Sequence, residues 1–300
     1  MFFFLVLLTV LTITKCLPVE KIDVSYLDAS AFGTPSTQSG TALEQWTVES
    51  EVNPEEVGRY LEGDILFPID ASKNGLLNET ARWPHAVVPY ESSAAFTSTD
   101  RKIIAEAMLQ YHKHTCIRFR PKEQKDEDWV SIGSTKTGCW SSIGRVGGKQ
   151  YLNLQSPGCL IKVGTAIHEF LHVLGFHHEQ NRSDRDSYVE IKWKNIDESK
   201  KGNFKKVKNE SVVTYGVEYD YGSVMHYSKQ AFSINGNPTI VVLNSTAIIG
   251  QRDSFSKKDL KKLRMMYNCS DNNENSVSSG SIQLNQQIIN LGDLISVLFP

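Results

Sequence analysis

Residues 168–178 read His-Glu-Phe-Leu-His-Val-Leu-Gly-Phe-His-His, placing three imidazoles and a carboxylate at fixed offsets. His168 and His172 are four residues apart, so on a helix they stand one turn apart on one face and can share a metal ion. Glu169 lies between them, placed to take a proton from a water activated at the metal rather than to ligate it. Gly175 follows one turn later. A glycine there can adopt positive φ, stop the helix and reverse the chain so that His178 returns as a third ligand. Three protein ligands leave a fourth position open, which separates a catalytic zinc from a closed structural one. A bare pair of histidines around a glutamate arises by chance; the added glycine and third histidine make chance a poor account.

The apolar spacers Phe170, Leu171, Val173 and Leu174 give this segment the look of a buried helix, predicted over residues 162–174. Ahead of it the pattern alternates between strands and one helix. Short strands are expected near Trp83–Tyr90, Cys116–Arg120, Trp129–Ile132 and Gln150–Leu154. Thr97 or Ser98 caps a helix reaching His114, with Ile103, Ile104, Met108 and Tyr111 at helical spacing. After the histidine segment regular pattern thins, apart from a helix over Lys257–Tyr267. The expectation is an α+β fold in two lobes. The N-terminal lobe carries a mixed sheet and helices; the C-terminal lobe is mostly irregular with a final helix, and the metal lies between them.

The chain of 300 residues is 40% hydrophobic and 22% charged, ordinary values for a globular protein. Residues 1–16 hold an apolar run of the length of a secretory signal core, too short to span a bilayer comfortably. Residues 17–57 are polar with little periodicity and read as largely irregular. Residues 17–73 carry 11 acidic against 3 basic residues, whereas the total net charge is only −2, so the following domain is basic. An acidic leader ahead of a basic domain suits a propeptide over 17–73 held to a domain over 74–270. Residues 271–300 form a low-complexity tail whose apolar end is interrupted by Asp293, and no stable membrane insertion is expected. The clustered lysines Lys200, Lys201, Lys205, Lys206 and Lys208 lack interleaved reading motifs, so no nucleic-acid partner is expected.

Of five cysteines, Cys16 lies beside the signal. Cys116, Cys139, Cys159 and Cys269 remain, an even set that allows three connectivities. Candidate glycosylation sequons stand at Asn78, Asn181, Asn209, Asn244 and Asn268. All of this fits a secreted, extracellular protein.

The chain resembles the astacins, zinc metalloendopeptidases of the metzincin group, over roughly residues 60–270. The run His168 to Asp186 is similar to the long family signature, including Phe176, Glu179, Arg182, Asp184, Arg185 and Asp186. Ser223-Val-Met-His-Tyr227 looks like the family's Met-turn. The resemblance implies that Met225 packs under one zinc ion, and that Tyr227 is an additional ligand that swings off to stabilise an oxyanion. It implies disulfides Cys116–Cys269 and Cys139–Cys159. Leu61-Glu-Gly-Asp-Ile65 is similar to a propeptide motif whose aspartate, Asp64 here, ligates zinc in a zymogen. By the distance to Trp83, maturation would cut between Lys73 and Asn74, and the new amino group of Asn74 would pair with Glu179.

The expected activity is hydrolysis of protein or peptide substrates by a monomer switched on by an activating protease. The rival is a catalytically silent secreted binding protein on the same fold. The complete set of chemistry-bearing residues speaks against it.

Overall fold

The helix that carries the histidines lies over a five-stranded sheet. In the computed structural model, residues 21–23, 31–68, 79–207, 214–243, 246–269, 282–284 and 287–289 are described. The sheet is built from β5 (Val87–Ser92), β6 (Arg118–Pro121), β7 (Trp129–Gly133), β8 (Cys139–Ser141) and β9 (Lys149–Leu154), in the order β6-β5-β7-β9-β8. All neighbours are parallel except β8, which runs antiparallel to β9 at the edge.

Two helices cover the sheet. The first, α2 (Ser98–His114), starts at Thr97, whose side chain accepts from the Asp100 amide while Asp100 reaches back to the Thr97 amide. Ile104, Met108 and Tyr111 form its buried face. The second, α3 (Val163–Val173), is buried along nearly its whole length, which explains why its apolar residues are not confined to one stripe. Phe170, Leu171, Val173 and Leu174 join Val88, Phe119, Val130 and Ile132 in the main core, together with Met225 and Leu263. A second core in the C-terminal lobe gathers Val189, Phe204, Tyr219, Tyr227 and Ile240. There β10 (Val189–Ile191) pairs antiparallel with β11 (Ile240–Val242), and most of the remaining chain is turns and 3-10 segments up to α4 (Lys257–Met266). The two-lobed α+β architecture is the one the sequence predicts.

The stretch over 17–57, read as largely irregular, holds regular elements among its described residues. Within it α1 (Thr37–Glu44) forms, and a 3-10 turn follows over Pro54–Val57. No apolar period announces α1, because its stability comes from a cap and from packing. The Ser36 side chain accepts from the Ser39 amide, and Ser39, Gly40 and Leu43 are buried. Gly40 is required by close approach: a Cβ there would stand 2.1 Å from the Lys136 carbonyl oxygen. Three pairings fasten the leading segment. β1 (Lys21–Asp23) pairs with β4 (Glu79–Ala81), β2 (Phe32–Gly33) runs parallel to β3 (Phe67–Pro68), and Ile65 bridges in parallel to Ser141 on the outer edge of β8.

Both disulfides of the resemblance are present. Cys116–Cys269 joins the start of β6 to the end of α4 across 153 residues, and Cys139–Cys159 spans 20. Among the sequons, Asn181 needs correction as a glycosylation candidate. Its side chain is buried and its amide donates to the Asn203 carbonyl oxygen at 3.0 Å, so a glycan has no room there. Asn268 is exposed, and Asn78, Asn209 and Asn244 lie outside the described residues.

Candidate metal centre

Helix α3 ends as its sequence requires. Gly175 takes φ 107°, its amide donates to the His172 carbonyl oxygen at 2.8 Å, and the Phe176 amide donates to that of Leu171 at 2.9 Å. This Schellman closure turns the chain back and delivers His178 to the two helical histidines. The Ser223–Tyr227 turn approaches from the other side. It is pinned by Asp259 of α4, which accepts from the Ser223 hydroxyl at 2.6 Å and from the Val224 amide at 2.9 Å. The turn in turn accepts the Glu179 amide on the Met225 carbonyl oxygen at 3.0 Å.

His168, His172, His178 and Asp64 form one buried group, with ligand atoms all within 4.8 Å of one another. Each ring is oriented from behind. His168 Nδ1 meets the Val224 carbonyl oxygen at 2.8 Å, His172 Nδ1 that of Phe176 at 2.7 Å, and His178 Nδ1 the Glu62 carboxylate at 2.7 Å. These partners are acceptors, so each Nδ1 carries a proton and each Nε2 points inward, where it can give a lone pair to a metal ion. Asp64 Oδ2 stands 3.0 Å from His168 Nε2 and 3.3 Å from His178 Nε2, and the two Nε2 atoms are 3.2 Å apart. Asp64 Oδ1 and His172 Nε2, 3.5 Å apart, have no hydrogen-bond partner among the described residues. Electron-pair donors facing one another in a dry interior demand a cation, and three nitrogens with one carboxylate oxygen suit zinc.

The electrostatics agree. Burial pushes the Asp64 carboxyl up, but the facing His178 and His172 outweigh it and hold it well below the usual carboxylate range. Burial pushes the His178 ring down, yet Asp64 and Glu62 lift it to about 10, so the group draws positive charge to itself.

Glu169 is wholly buried, and neither carboxylate oxygen has a hydrogen-bond partner among the described residues. Burial pushes its carboxyl well up, and the nearby Asp64 and Glu55 charges add to the push against Arg252. Tyr227 is also wholly buried, its ring centroid 4.6 Å from that of His178. Its hydroxyl donates to the Glu62 carbonyl oxygen at 2.5 Å, so in this arrangement it is engaged by the leading segment. Glu179 is already engaged by three donors. Lys262 reaches one oxygen at 2.5 Å, while Arg182 at 3.1 Å and the Asp220 amide at 2.9 Å reach the other. Lys73 and Asn74 lie outside the described residues.

Several residues of the site carry no sequence signal. Glu55 is buried against Arg252, which donates to it through Nε at 2.6 Å, with Nη2 in ion-pair contact with the same carboxylate. Burial pushes the Glu55 carboxyl up to about 7, with Arg252 opposing and Glu56 and Asp64 adding to the push. Glu56 accepts from the Ser228 amide at 2.6 Å and from its hydroxyl. Tyr60 and Leu66 pack on Trp140, and the Tyr60 hydroxyl donates to the Thr137 carbonyl oxygen at 2.6 Å. The leading segment thus covers the metal group and bonds both to β8 and to the C-terminal lobe.

A sequence model of the peptidase family described as Astacin matches residues 75–268. The chain belongs to the astacin family. Astacin-family relatives include Zinc metalloproteinase nas-15 of Caenorhabditis elegans, 44% identical over 196 residues, covering 65% of this chain and 34% of the relative. Zinc metalloproteinase nas-4 of the same organism is 39% identical over 245 residues, covering 78% of this chain and 76% of the relative. Among solved structures, High choriolytic enzyme 1, a hatching enzyme zinc-protease from Oryzias latipes, superposes with a TM-score of 0.59 at 38% identity. That match covers 64% of this chain and 94% of that one. The chain spans 34% to 56% of the length of the first curated relatives it matches. No helix among the described residues is long and apolar enough to cross a membrane.

Proposed function

We propose that the protein is a secreted zinc metalloendopeptidase made as a zymogen. The carrying observation is the convergence of His168, His172, His178 and Asp64 on one buried point. Zinc bound there supplies Lewis-acid polarisation of a peptide carbonyl and lowers the pKa of water toward neutrality. The histidines hold the metal. Glu169 is the general base, taking the proton of the attacking water and passing it to the leaving amine. Tyr227 donates a hydrogen bond to the oxyanion once its hydroxyl is released from Glu62.

Asp64 fills the position that substrate would need. A cut between Lys73 and Asn74 by an activating protease frees residues 17–73 to leave. The amino group of Asn74 then joins the buried charges around Glu179, where Lys262 already stands. Residues 1–16 direct secretion, and residues 271–300 are a tail outside the catalytic domain. Substrates are proteins or peptides, and the mature enzyme acts as a monomer.

The test is a fluorogenic peptide assay before and after the cut, with chelator and zinc add-back. The expected outcome is activity only after cutting, lost to chelator and restored by zinc. Cleavage that survives metal removal refutes the reading. N-terminal sequencing of active enzyme checks the cut, which must begin at or next to Asn74.

A further inference from the structure

Asn203 sits in the C-terminal lobe, in the 3-10 segment Glu198–Phe204, and plays no part in holding the metal. Its side-chain oxygen accepts the Glu62 amide at 3.0 Å. The carbonyl oxygen of the same residue, Glu62, accepts from Tyr227. Across the cleft, Ser141 of β8 donates its amide to the Asp64 carbonyl oxygen at 2.8 Å and accepts the Leu66 amide at 3.0 Å. The main chain over the metal group is therefore held from both walls, by a strand edge on one side and by Asn203 with Tyr227 on the other.

Asn203 is built for this position. Its carbonyl oxygen is tied to Asn181, three residues after His178, and the adjacent Phe204 packs edge-on to Tyr227 with ring centroids 5.7 Å apart. The residue is 5% exposed, and its Nδ2 has no hydrogen-bond partner among the described residues. A buried amide nitrogen left bare is costly, by about 1–3 kcal/mol, so natural structures rarely retain one without a use. When the leading segment departs, the side-chain oxygen loses its partner as well. A carboxamide then faces the cleft with one acceptor and one donor, the complement of a peptide group.

We propose that Asn203 is a substrate-positioning residue that grips the main chain of a bound peptide from the wall opposite β8, accepting one specific backbone amide. The proposal rests on the peptidase reading. It concerns backbone and not side-chain recognition, so it acts on every substrate sequence alike.

The test is a scan of one cleavable peptide in which each backbone amide outside the scissile bond is N-methylated in turn. The cut, zinc-loaded enzyme is compared with Asn203→Ala and Asn203→Asp. At one amide, methylation is expected to lower kcat/KM of the parent enzyme by about 3- to 10-fold through loss of one hydrogen bond, and to cost nothing extra in Asn203→Ala. Asn203→Asp keeps an acceptor oxygen and is expected to keep the penalty at that same amide, which preserves the test if Asn203→Ala fails to fold. A scan in which no position depends on Asn203, or in which Asn203→Asp loses the penalty, overturns the clamp alone. Failure of the parent enzyme to cleave the unmethylated peptide brings down the peptidase reading and the clamp with it.

Discussion

Glu55→Gln is the sharpest perturbation of latency, because it leaves the metal group intact. Both side chains of the Glu55–Arg252 pair are 0% exposed. Above about pH 7, where the Glu55 carboxyl is ionised, removing one partner of such a pair leaves an uncompensated buried charge, at a cost of about 3–5 kcal/mol. The lower end applies here. Arg252 Nη1 keeps the His226 and Gln251 carbonyl oxygens at 3.1 and 2.7 Å, and Glu56 remains 3.9 Å from Nη2. A cost of about 3 kcal/mol shifts the closed-to-open balance of the leading segment by about 100-fold. The assay is peptide turnover by the uncut chain, with Lys73→Ala to block cutting, normalised to the activity of each variant after full processing at a substituted protease site. Residual turnover is expected to rise by about 100-fold. Adding Arg252→Gln must then cost much less than it does alone, because the charge it removes is already orphaned. Residual turnover within about threefold of the parent, or strictly additive effects, refutes the idea that this pair closes the cleft.

In the cut enzyme, Glu169→Gln is expected to bind zinc normally by elemental analysis while turnover falls by about 100- to 10,000-fold; normal turnover would remove Glu169 from its role as base. Tyr227→Phe is expected to lower kcat by about 100-fold with little change in KM, and a change confined to KM would argue for substrate binding instead. Serine in place of Cys116 and Cys269 opens a loop of 153 residues and is expected to cost about 5 kcal/mol in urea unfolding of the uncut chain. The same change at Cys139 and Cys159, whose separation is 20, is expected to cost about 3 kcal/mol, so equal losses would contradict the chain-entropy account.

What could be read from the chain was whatever is local. The turn at Gly175, the offset between His168 and His172, and the capping of α2 by Thr97 all follow from neighbours in sequence. The Met-turn and Asp64 needed a resemblance, because nothing at Leu61–Ile65 alone says that it will meet histidines 104 and 114 positions away. Glu55 and Arg252 are separated by 197 positions and each looks like an ordinary surface charge. Lys262 lies in a lysine-rich helix, so its burial against Glu179 is invisible until α4 is docked. Asn181 fails in the opposite direction. A sequon is a three-residue pattern, whereas access to it is decided by the tertiary packing that buries it beside Asn203.

The Cys116–Cys269 bond has a practical consequence for how such a molecule is handled. It encloses most of the family-matched region, so one peptide break anywhere between residues 117 and 268 yields two fragments that still travel as one covalent body. A preparation nicked by itself or by a contaminant therefore migrates at full size without reductant and falls apart only when thiols are added. Apparent mass under oxidising conditions is then no measure of backbone integrity, and a nicked molecule can keep both walls of its cleft in place.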